Sequence, residues 1–160
     1  MDYITFRIAN INDLKDILNL YKQLISFHVE LEPNFFKNGT QSKTFVKDIL
    51  YDPSCCIILA CADNEIVGFV VLQIEKSIDL KMLKKYKYVY LTDIVVSKDY
   101  QNRKIGSTLI KYSIDWARKN KVDYLELNVW NSNVDAIRLY KQFGFKHKIS
   151  TMYLDLKEDA

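Results

Sequence analysis

The stretch from Leu91 to Ser107 constrains this chain more than any other part of it. An apolar run that ends at Val96 is followed by a short polar turn and then by residues whose apolar members recur at helical spacing. A strand that leads through a loop into a helix exposes the backbone N–H groups of the first helical turn, and the helix dipole adds partial positive charge there. The sequence therefore predicts a phosphate-binding site at the start of this helix.

Length and charge bound the class of protein. At 160 residues the chain can bury a sizeable core, and we predict a single domain over residues 1–160. The net charge of +3 is too small to indicate nucleic-acid binding, although seven positive residues lie between residues 98 and 121. No signal-peptide pattern opens the sequence and no apolar run reaches ~18 residues. We therefore predict a cytoplasmic protein that binds neither nucleic acid nor a membrane.

The three cysteines indicate core thiols. Cys55, Cys56 and Cys61 lie in one apolar run, without a CxxC spacing and without a nearby histidine. A disulfide between the adjacent Cys55 and Cys56 would be strained. We predict free thiols in a reducing compartment and no metal site.

The periodicity of the apolar residues predicts an α/β protein of the mixed α+β type, with a mixed sheet covered by helices. The predicted order is β-α-α-β-β-β-α-β-α-β, with an antiparallel meander in the middle. The predicted strands are residues 3–8, 56–62, 66–75, 88–96, 122–130 and 145–156. The predicted helices lie between residues 10 and 27, over 41–50, from about 105 to 120, and from 132 or 133 to 143.

Local signals predict where several helices begin and end. Asn10, with Asp13 three residues later, predicts an N-cap for the first helix. Pro33 and Gly39 predict a loop over residues 28–40. Gly144 is well placed as the left-handed residue that ends the last helix.

With this order of elements in view, the chain resembles the GNAT superfamily of N-acetyltransferases. The segment from Leu91 to Trp116 is similar to the family's acetyl-CoA motif, and the usual Q/R-x-x-G-x-G/A signature falls on Gln101, Lys104 and Gly106. The resemblance implies a GNAT fold, with a central, mixed and mostly antiparallel sheet of six to seven strands flanked by about four helices.

A second segment carries the same resemblance. Residues 131–145 read NSNVDAIRLYKQFGF and are similar to the family's N-x-x-A-x-x-x-Y-x-x-x-G-F segment. Gly68, in the strand after the Asp63-Asn64 turn, also fits the family pattern. The position of Tyr140 and the Leu91-Thr92-Asp93 start are most similar to the diamine and small-amine branch.

The resemblance implies an enzyme that moves an acetyl group from acetyl-CoA, its co-substrate, to a primary amine by direct attack through a tetrahedral intermediate. The acceptor would be a small amine, a polyamine-like molecule or a peptide amine, and no metal is needed. The implied cofactor-binding groups lie where the strand ending at Val96 splays from its neighbour, in the loop after it, and near the second motif. They are Ile94, Val95, Val96, Gln101, Asn102, Arg103, Lys104, Ile105, Gly106, Ser107, Asn128, Asn131, Asn133 and Ala136.

One residue departs from the family pattern. Lys104 stands where the first signature glycine is usual, and glycine there lets the backbone approach the diphosphate without a Cβ. A lysine can do the same if its φ is negative, and its ammonium group could pair with a phosphate. The alternative is an ordinary helix start with a solvated lysine.

The resemblance also implies the catalytic groups. Tyr140 matches the tyrosine that donates a proton to the leaving thiolate, although Ala136, Tyr140 and Phe143 also read as a core stripe. Asp93, acting through ordered water, is the first candidate for the base that deprotonates the amine. A carboxylate satisfied by backbone amides is the equal alternative.

Other residues are candidates for the acceptor side. His28 and Glu30 follow the first helix, in the loop that walls the acceptor site in this family, and Thr92 occupies a position where many relatives have glutamate. His147 is interpreted as structural. A non-catalytic acyl-CoA-binding module is the alternative function, and a homodimer is the predicted assembly.

Overall fold

Five strands in the first part of the chain form one mixed sheet. The computed structural model describes residues 3–157, which divide after Asn128 into two compact parts, and the sheet lies in the first of them. The strands are β1 (Ile4–Ile8), β2 (Cys55–Ala62), β3 (Glu65–Lys76), β4 (Lys87–Val96) and β5 (Tyr124–Leu127). They lie in the sheet in chain order, with β4 and β5 parallel and the other neighbours antiparallel. The predicted mixed, mostly antiparallel sheet is confirmed.

The predicted number of six to seven strands is wrong. The last predicted strand, residues 145–156, forms no strand in the structure, and the sheet has five. Ile149, Met152 and Leu154 in that segment are 84%, 93% and 81% exposed. Residues with high β-propensity form a strand when their side chains pack on neighbouring strands, and these side chains have little such packing.

Residues 3–157 contain four α-helices, which agrees with the predicted number. They are α1 (Leu14–Leu31), α2 (Lys43–Tyr51), α3 (Ile105–Lys119) and, in the second part, α4 (Val134–Gln142). The predicted loop over residues 28–40 begins too early, because α1 continues to Leu31 and ends before Pro33, which disfavours helical backbone at Glu32. No helix within residues 3–157 combines the length and the apolar character needed to traverse a bilayer.

The sheet carries a core on each face. Leu59, Phe69 and Val71 belong to a buried cluster with residues of α1 and α2. Val70 and Leu72, which alternate with them along β3, belong to a second cluster with residues of α3. The three cysteine thiols are free, and Cys56 and Cys61 are buried in these cores.

A partly buried ion pair fixes the start of α1. Asn10 caps the 3₁₀ turn Ile11–Asp13, and the Asp13 carboxylate accepts a hydrogen bond from the Asn10 backbone N–H at 2.8 Å. Both Asp13 oxygens also accept from the Arg7 guanidinium at 2.8 Å. These bonds hold the pKa of Asp13 below its usual value. The predicted N-cap at Asn10 is confirmed.

Gly68 brings β3 and β4 close together. It lies opposite Val96, and a Cβ on residue 68 would be 2.9 Å from the Val95 carbonyl oxygen. We expect Gly68→Ala to lower the free energy of unfolding by about 1–3 kcal/mol, because the strand backbone would have to move. Urea denaturation measures this beside Gly39→Ala, whose Cβ would meet nothing within 4 Å. Equal losses in the two variants would contradict the prediction.

The second part of the chain contains α4 and its caps. The Asn133 side chain accepts a hydrogen bond from the Ala136 N–H at 3.3 Å. At the other end Gly144 has a φ of +91° and donates to the Lys141 carbonyl, while Phe145 donates to the Tyr140 carbonyl. This is the Schellman arrangement, which favours glycine at its left-handed position, so the predicted role of Gly144 is confirmed.

Candidate active site

The parallel pairing of β4 with β5 covers only the first part of β4. It runs from Tyr88 opposite Tyr124 to Leu91 opposite Leu127, whereas β4 continues to Val96. Within residues 3–157, the stretch from Thr92 to Val96 therefore has a strand partner on its β3 side alone. Backbone groups on the other edge are placed to bind a ligand, and their role in binding acetyl-CoA stays a prediction.

A β-bulge lies at the point where this pairing stops. Val71 of β3 is opposite Asp93 and Leu72 is opposite Leu91, so Thr92 is the extra residue of β4. The Thr92 hydroxyl oxygen is buried and has no hydrogen-bond partner among the residues that the structure describes. A buried polar atom without a partner in this position is suited to a hydrogen bond with a substrate.

Asp93 follows the bulge and is held by a tyrosine of α1. The Tyr21 hydroxyl donates to Asp93 Oδ2 at 2.8 Å, and Tyr21 itself is only 2% exposed. Burial raises the pKa of Asp93, and the hydrogen bond from Tyr21 and the proximity of His28 lower it by less. A carboxylate whose pKa is raised above its usual value is a stronger base, which suits it to accept a proton.

Aromatic side chains adjoin this carboxylate. His28, in the last turn of α1, stacks on Phe36 at 4.8 Å between ring centroids and lies 5.8 Å from Phe27. Burial lowers the pKa of His28, although the charge of Asp93 opposes this shift, so the imidazole is mainly neutral at pH 7. Glu30 is exposed in the last turn of α1.

The loop after β4 is fixed by its own side chains. The Gln101 amide donates to the Val96 carbonyl at 3.3 Å, and the Ser97 N–H donates to the Val67 carbonyl at 2.7 Å. The Arg103 guanidinium donates to the Asp99 carbonyl at 3.2 Å and lies 4.7 Å above the Tyr100 ring. These contacts hold the loop between β4 and α3.

Lys104 adopts a left-handed backbone conformation, which favours glycine. Its φ is +63°, and Asn102 in the same loop has a φ of +61°. The expectation that a lysine would fit here with a negative φ is therefore wrong. A left-handed conformation costs a residue with a Cβ roughly 1–2 kcal/mol, and the surrounding contacts must supply it. Glycine would adopt this conformation without that cost.

The first turn of α3 has free backbone donors. The first hydrogen bond of the helix runs from the Thr108 N–H to the Lys104 carbonyl at 3.0 Å, and the Lys104 side chain does not cap the helix. Helix geometry therefore leaves the N–H groups of Ile105, Gly106 and Ser107 without acceptors inside the helix. This arrangement fits the diphosphate of a coenzyme.

The remaining predicted residues lie at the end of the first part or in the second part. Asn128 and Asn131 are exposed, and the Asn133 side chain caps α4. Tyr140 is buried, and its ring packs 5.5 Å from that of Phe145. Burial raises the pKa of Tyr140 to about 12, so it stays protonated at neutral pH.

Tyr21 is the site residue that the sequence did not reveal. In the sequence it stands at helical spacing with Leu14, Ile17 and Leu24, which indicates only a residue on the apolar face of the first helix. The hydroxyl of a buried tyrosine usually has a hydrogen-bond partner, so the sequence indicates that Tyr21 has one without identifying it. The partner lies 72 residues away, and the sequence does not say which strand the helix crosses.

A family comparison decides the assignment. The profile of the Acetyltransferase (GNAT) family matches residues 14–145. The chain belongs to the GNAT acetyltransferase family. The co-substrate of GNAT enzymes is acetyl-CoA, and the open edge of β4 and the first turn of α3 lie in the part that matches. Within residues 3–157, no three His, Cys, Asp or Glu side chains are grouped closely enough to hold a metal ion.

Curated relatives agree with the GNAT assignment. L-amino acid N-acetyltransferase AaaT of Escherichia coli is 31% identical over 151 residues, which cover 91% of this chain and 85% of that protein. An uncharacterized N-acetyltransferase of Methanocaldococcus jannaschii is 26% identical over 146 residues. That match covers 90% of this chain and 62% of the archaeal protein, so the chain spans less than two thirds of that relative.

Solved structures share the fold. A mutant of the BH1408 protein from Bacillus halodurans has a TM-score of 0.89 at 21% identity, covering 95% of this chain and 99% of that one. The aminoglycoside N-acetyltransferase AAC(6')-Iy, solved in complex with CoA, has a TM-score of 0.73 at 17% identity, with 96% and 99% covered. At these identities the likeness shows the GNAT fold.

Proposed function

We propose that this chain is an acetyl-CoA-dependent N-acetyltransferase that acts on a primary amine. The observation that carries the proposal is the position of Asp93. This partly buried carboxylate, with its raised pKa, follows the bulge at which β4 loses its β5 partner. A base and an open strand edge adjoin each other in the same strand, which is what acetyl transfer to an amine requires.

Acetyl-CoA supplies the acetyl group as a thioester when it is bound. The N–H groups of Ile105, Gly106 and Ser107 would hold its diphosphate, because they have no acceptors inside α3. Backbone groups of Val95 and Val96 would bind the pantetheine arm along the open edge. Backbone donors near the bulge would stabilise the negative charge that develops on the acetyl oxygen.

Asp93, acting through water, would take a proton from the acceptor amine. An amine with a pKa of ~10.4 is mostly protonated at neutral pH, and supplying its neutral form costs about 4–5 kcal/mol. For an α-amine with a pKa near 8, supplying the neutral form costs only about 1.4 kcal/mol. Thr92, whose hydroxyl lacks a partner among the described residues, would orient the acceptor.

The acceptor side of the site combines one negative charge with aromatic surface. Asp93 would attract the ammonium form of an amine, while His28 and Phe36 offer a stacked, neutral face to its carbon skeleton. Glu30, exposed on the last turn of α1, would attract cationic acceptors from solvent. The name of the Escherichia coli relative adds free L-amino acids to the acceptors worth testing.

One assay tests the proposal. Purified protein is mixed with acetyl-CoA and a panel of monoamines, diamines, L-amino acids and peptides, and the release of free CoA thiol is followed. We expect turnover with at least one class of amine. Calorimetric binding of acetyl-CoA without turnover on any member would instead favour the non-catalytic acyl-CoA-binding module, for which Lys104 in the signature is the supporting feature. A lack of acetyl-CoA binding at millimolar concentration would contradict both.

Tyr140 is proposed to donate the proton that the leaving thiolate needs. We expect Tyr140→Phe to lower kcat by roughly ten-fold or more and to leave the Kd of acetyl-CoA unchanged, because only the hydroxyl is removed. Steady-state kinetics and calorimetry measure the two quantities. Tyr51→Phe, at a residue that is 70% exposed, is the matched control. An unchanged kcat would remove Tyr140 from the mechanism.

A further inference from the structure

We propose that Tyr21 is a positioning residue, which holds Asp93 so that the second oxygen of its carboxylate faces the water through which it deprotonates the acceptor amine. The inference rests on the proposed acetyl transfer to an amine. It concerns a side chain of α1 that carries no part of the family signature and that reaches across to β4.

The contact is well defined. Tyr21 is buried, and its hydroxyl lies 2.8 Å from Asp93 Oδ2. The ring packs against Phe69 of β3 with 4.9 Å between centroids, so the hydroxyl is aimed by a rigid core rather than by a mobile side chain. A hydrogen bond from a fixed donor restricts the rotation of the carboxylate.

The hydrogen bond also makes the two carboxylate oxygens of Asp93 different from each other. Oδ2 accepts from the Tyr21 hydroxyl, and within residues 3–157 the Asp93 carboxylate has no second hydrogen bond. Oδ1 is therefore the oxygen left to accept a proton. A carboxylate free to rotate would present both oxygens in many orientations, and proton transfer depends on a near-linear approach.

The same contact tunes the ionisation of Asp93. Burial raises its pKa, and donation from Tyr21 favours the charged form and so lowers it. Burial and the nearby carboxylate raise the pKa of Tyr21, so its hydroxyl keeps its proton throughout the working range. The other titratable groups that sense Asp93 are His28 of α1 and Tyr90 of β4, and neither donates a recorded hydrogen bond to it.

Tyr21→Phe tests the proposal, because it removes the hydroxyl and keeps the ring on Phe69. We expect the acidic limb of the kcat/KM profile to move to higher pH by about one to two units, since losing a hydrogen bond to a charged group costs about 1.5–3 kcal/mol and one pKa unit is 1.36 kcal/mol. We expect kcat at pH 7 to fall by roughly ten-fold and the Kd of acetyl-CoA to stay the same. Tyr112→Phe, a partly exposed residue of α3, is the control.

A purely structural hydrogen bond would behave differently. It would lower the melting temperature of Tyr21→Phe and leave the pH profile superimposable on that of the wild type, which would overturn the proposal. NMR titration of the Asp93 carboxyl carbon in both proteins gives a readout that does not depend on turnover. If the wild type acetylates no amine, the proposed function fails, and the titration still decides whether Tyr21 sets the pKa of Asp93. Equal pKa values in the two proteins would also overturn the proposal.

Discussion

Replacement of Asp93 by asparagine should lower kcat by about 10² to 10⁴-fold, the usual contribution of a general base. The amide keeps the size of the side chain and an oxygen that can accept from Tyr21, so the site should keep its shape. Because burial raises the pKa of Asp93, its ionised form opposes folding above that pKa, and removing the charge should not destabilise the protein at pH 7. Coupled detection of CoA thiol measures kcat.

The controls for Asp93→Asn separate catalysis from binding. Acetyl-CoA should bind the variant as tightly as the wild type in calorimetry, since Asp93 is not among the groups proposed to hold the coenzyme. Asp115→Asn, at an exposed carboxylate of α3, should have unchanged kcat. A kcat within two-fold of the wild type for Asp93→Asn would show that the proton leaves by another route.

Aspartate in place of Gly106 should weaken acetyl-CoA binding by about a hundred-fold. A Cβ at Gly106 would meet only Val96 Cγ2, at 3.9 Å, so the site has room for a side chain. A carboxylate about 5 Å from a phosphate charge costs about 3 kcal/mol at an effective dielectric constant of 20. The same carboxylate interacts favourably with the helix dipole, so the free energy of unfolding should not fall.

Gly106→Asn is the matched variant, with the same size and no charge. Calorimetric titration with acetyl-CoA should therefore give a much larger Kd for Gly106→Asp than for Gly106→Asn. Added salt should narrow the gap, because the repulsion is electrostatic. Equal Kd values in the two variants would place the diphosphate away from the first turn of α3.

The sequence predicted best those features that depend on local signals. The start of α3 at Ile105, the end of β4 at Val96 and the C-cap at Gly144 are set by neighbouring residues, and all are confirmed. The GNAT motif could be recognised for the same reason, because its loop and helix start form one continuous segment.

Features that depend on distant partners were not predictable. The contact between Tyr21 and Asp93 requires knowledge of how α1 crosses the sheet, and residues 145–156 lack the neighbouring strand that their composition suits. The positive φ of Lys104 is likewise imposed by the loop around it, against the preference of the residue.

Because β4 contains one extra residue, its side chains after Thr92 lie on the opposite face of the sheet from the one that regular alternation would give. Val89 and Leu91 point into the cluster with α3, whereas Val95, an even number of positions later, belongs to the cluster with α1. Thr92 is the residue at which the alternation shifts by one position. For this reason the Asp93 carboxylate contacts Tyr21 of α1 instead of the apolar cluster with α3. In a regular strand, with Thr92 paired like its neighbours, position 93 would lie on the same face as Leu91, and the carboxylate would point into the apolar cluster with α3. The carboxylate at position 93 therefore depends on the bulge to reach the α1 side of the sheet.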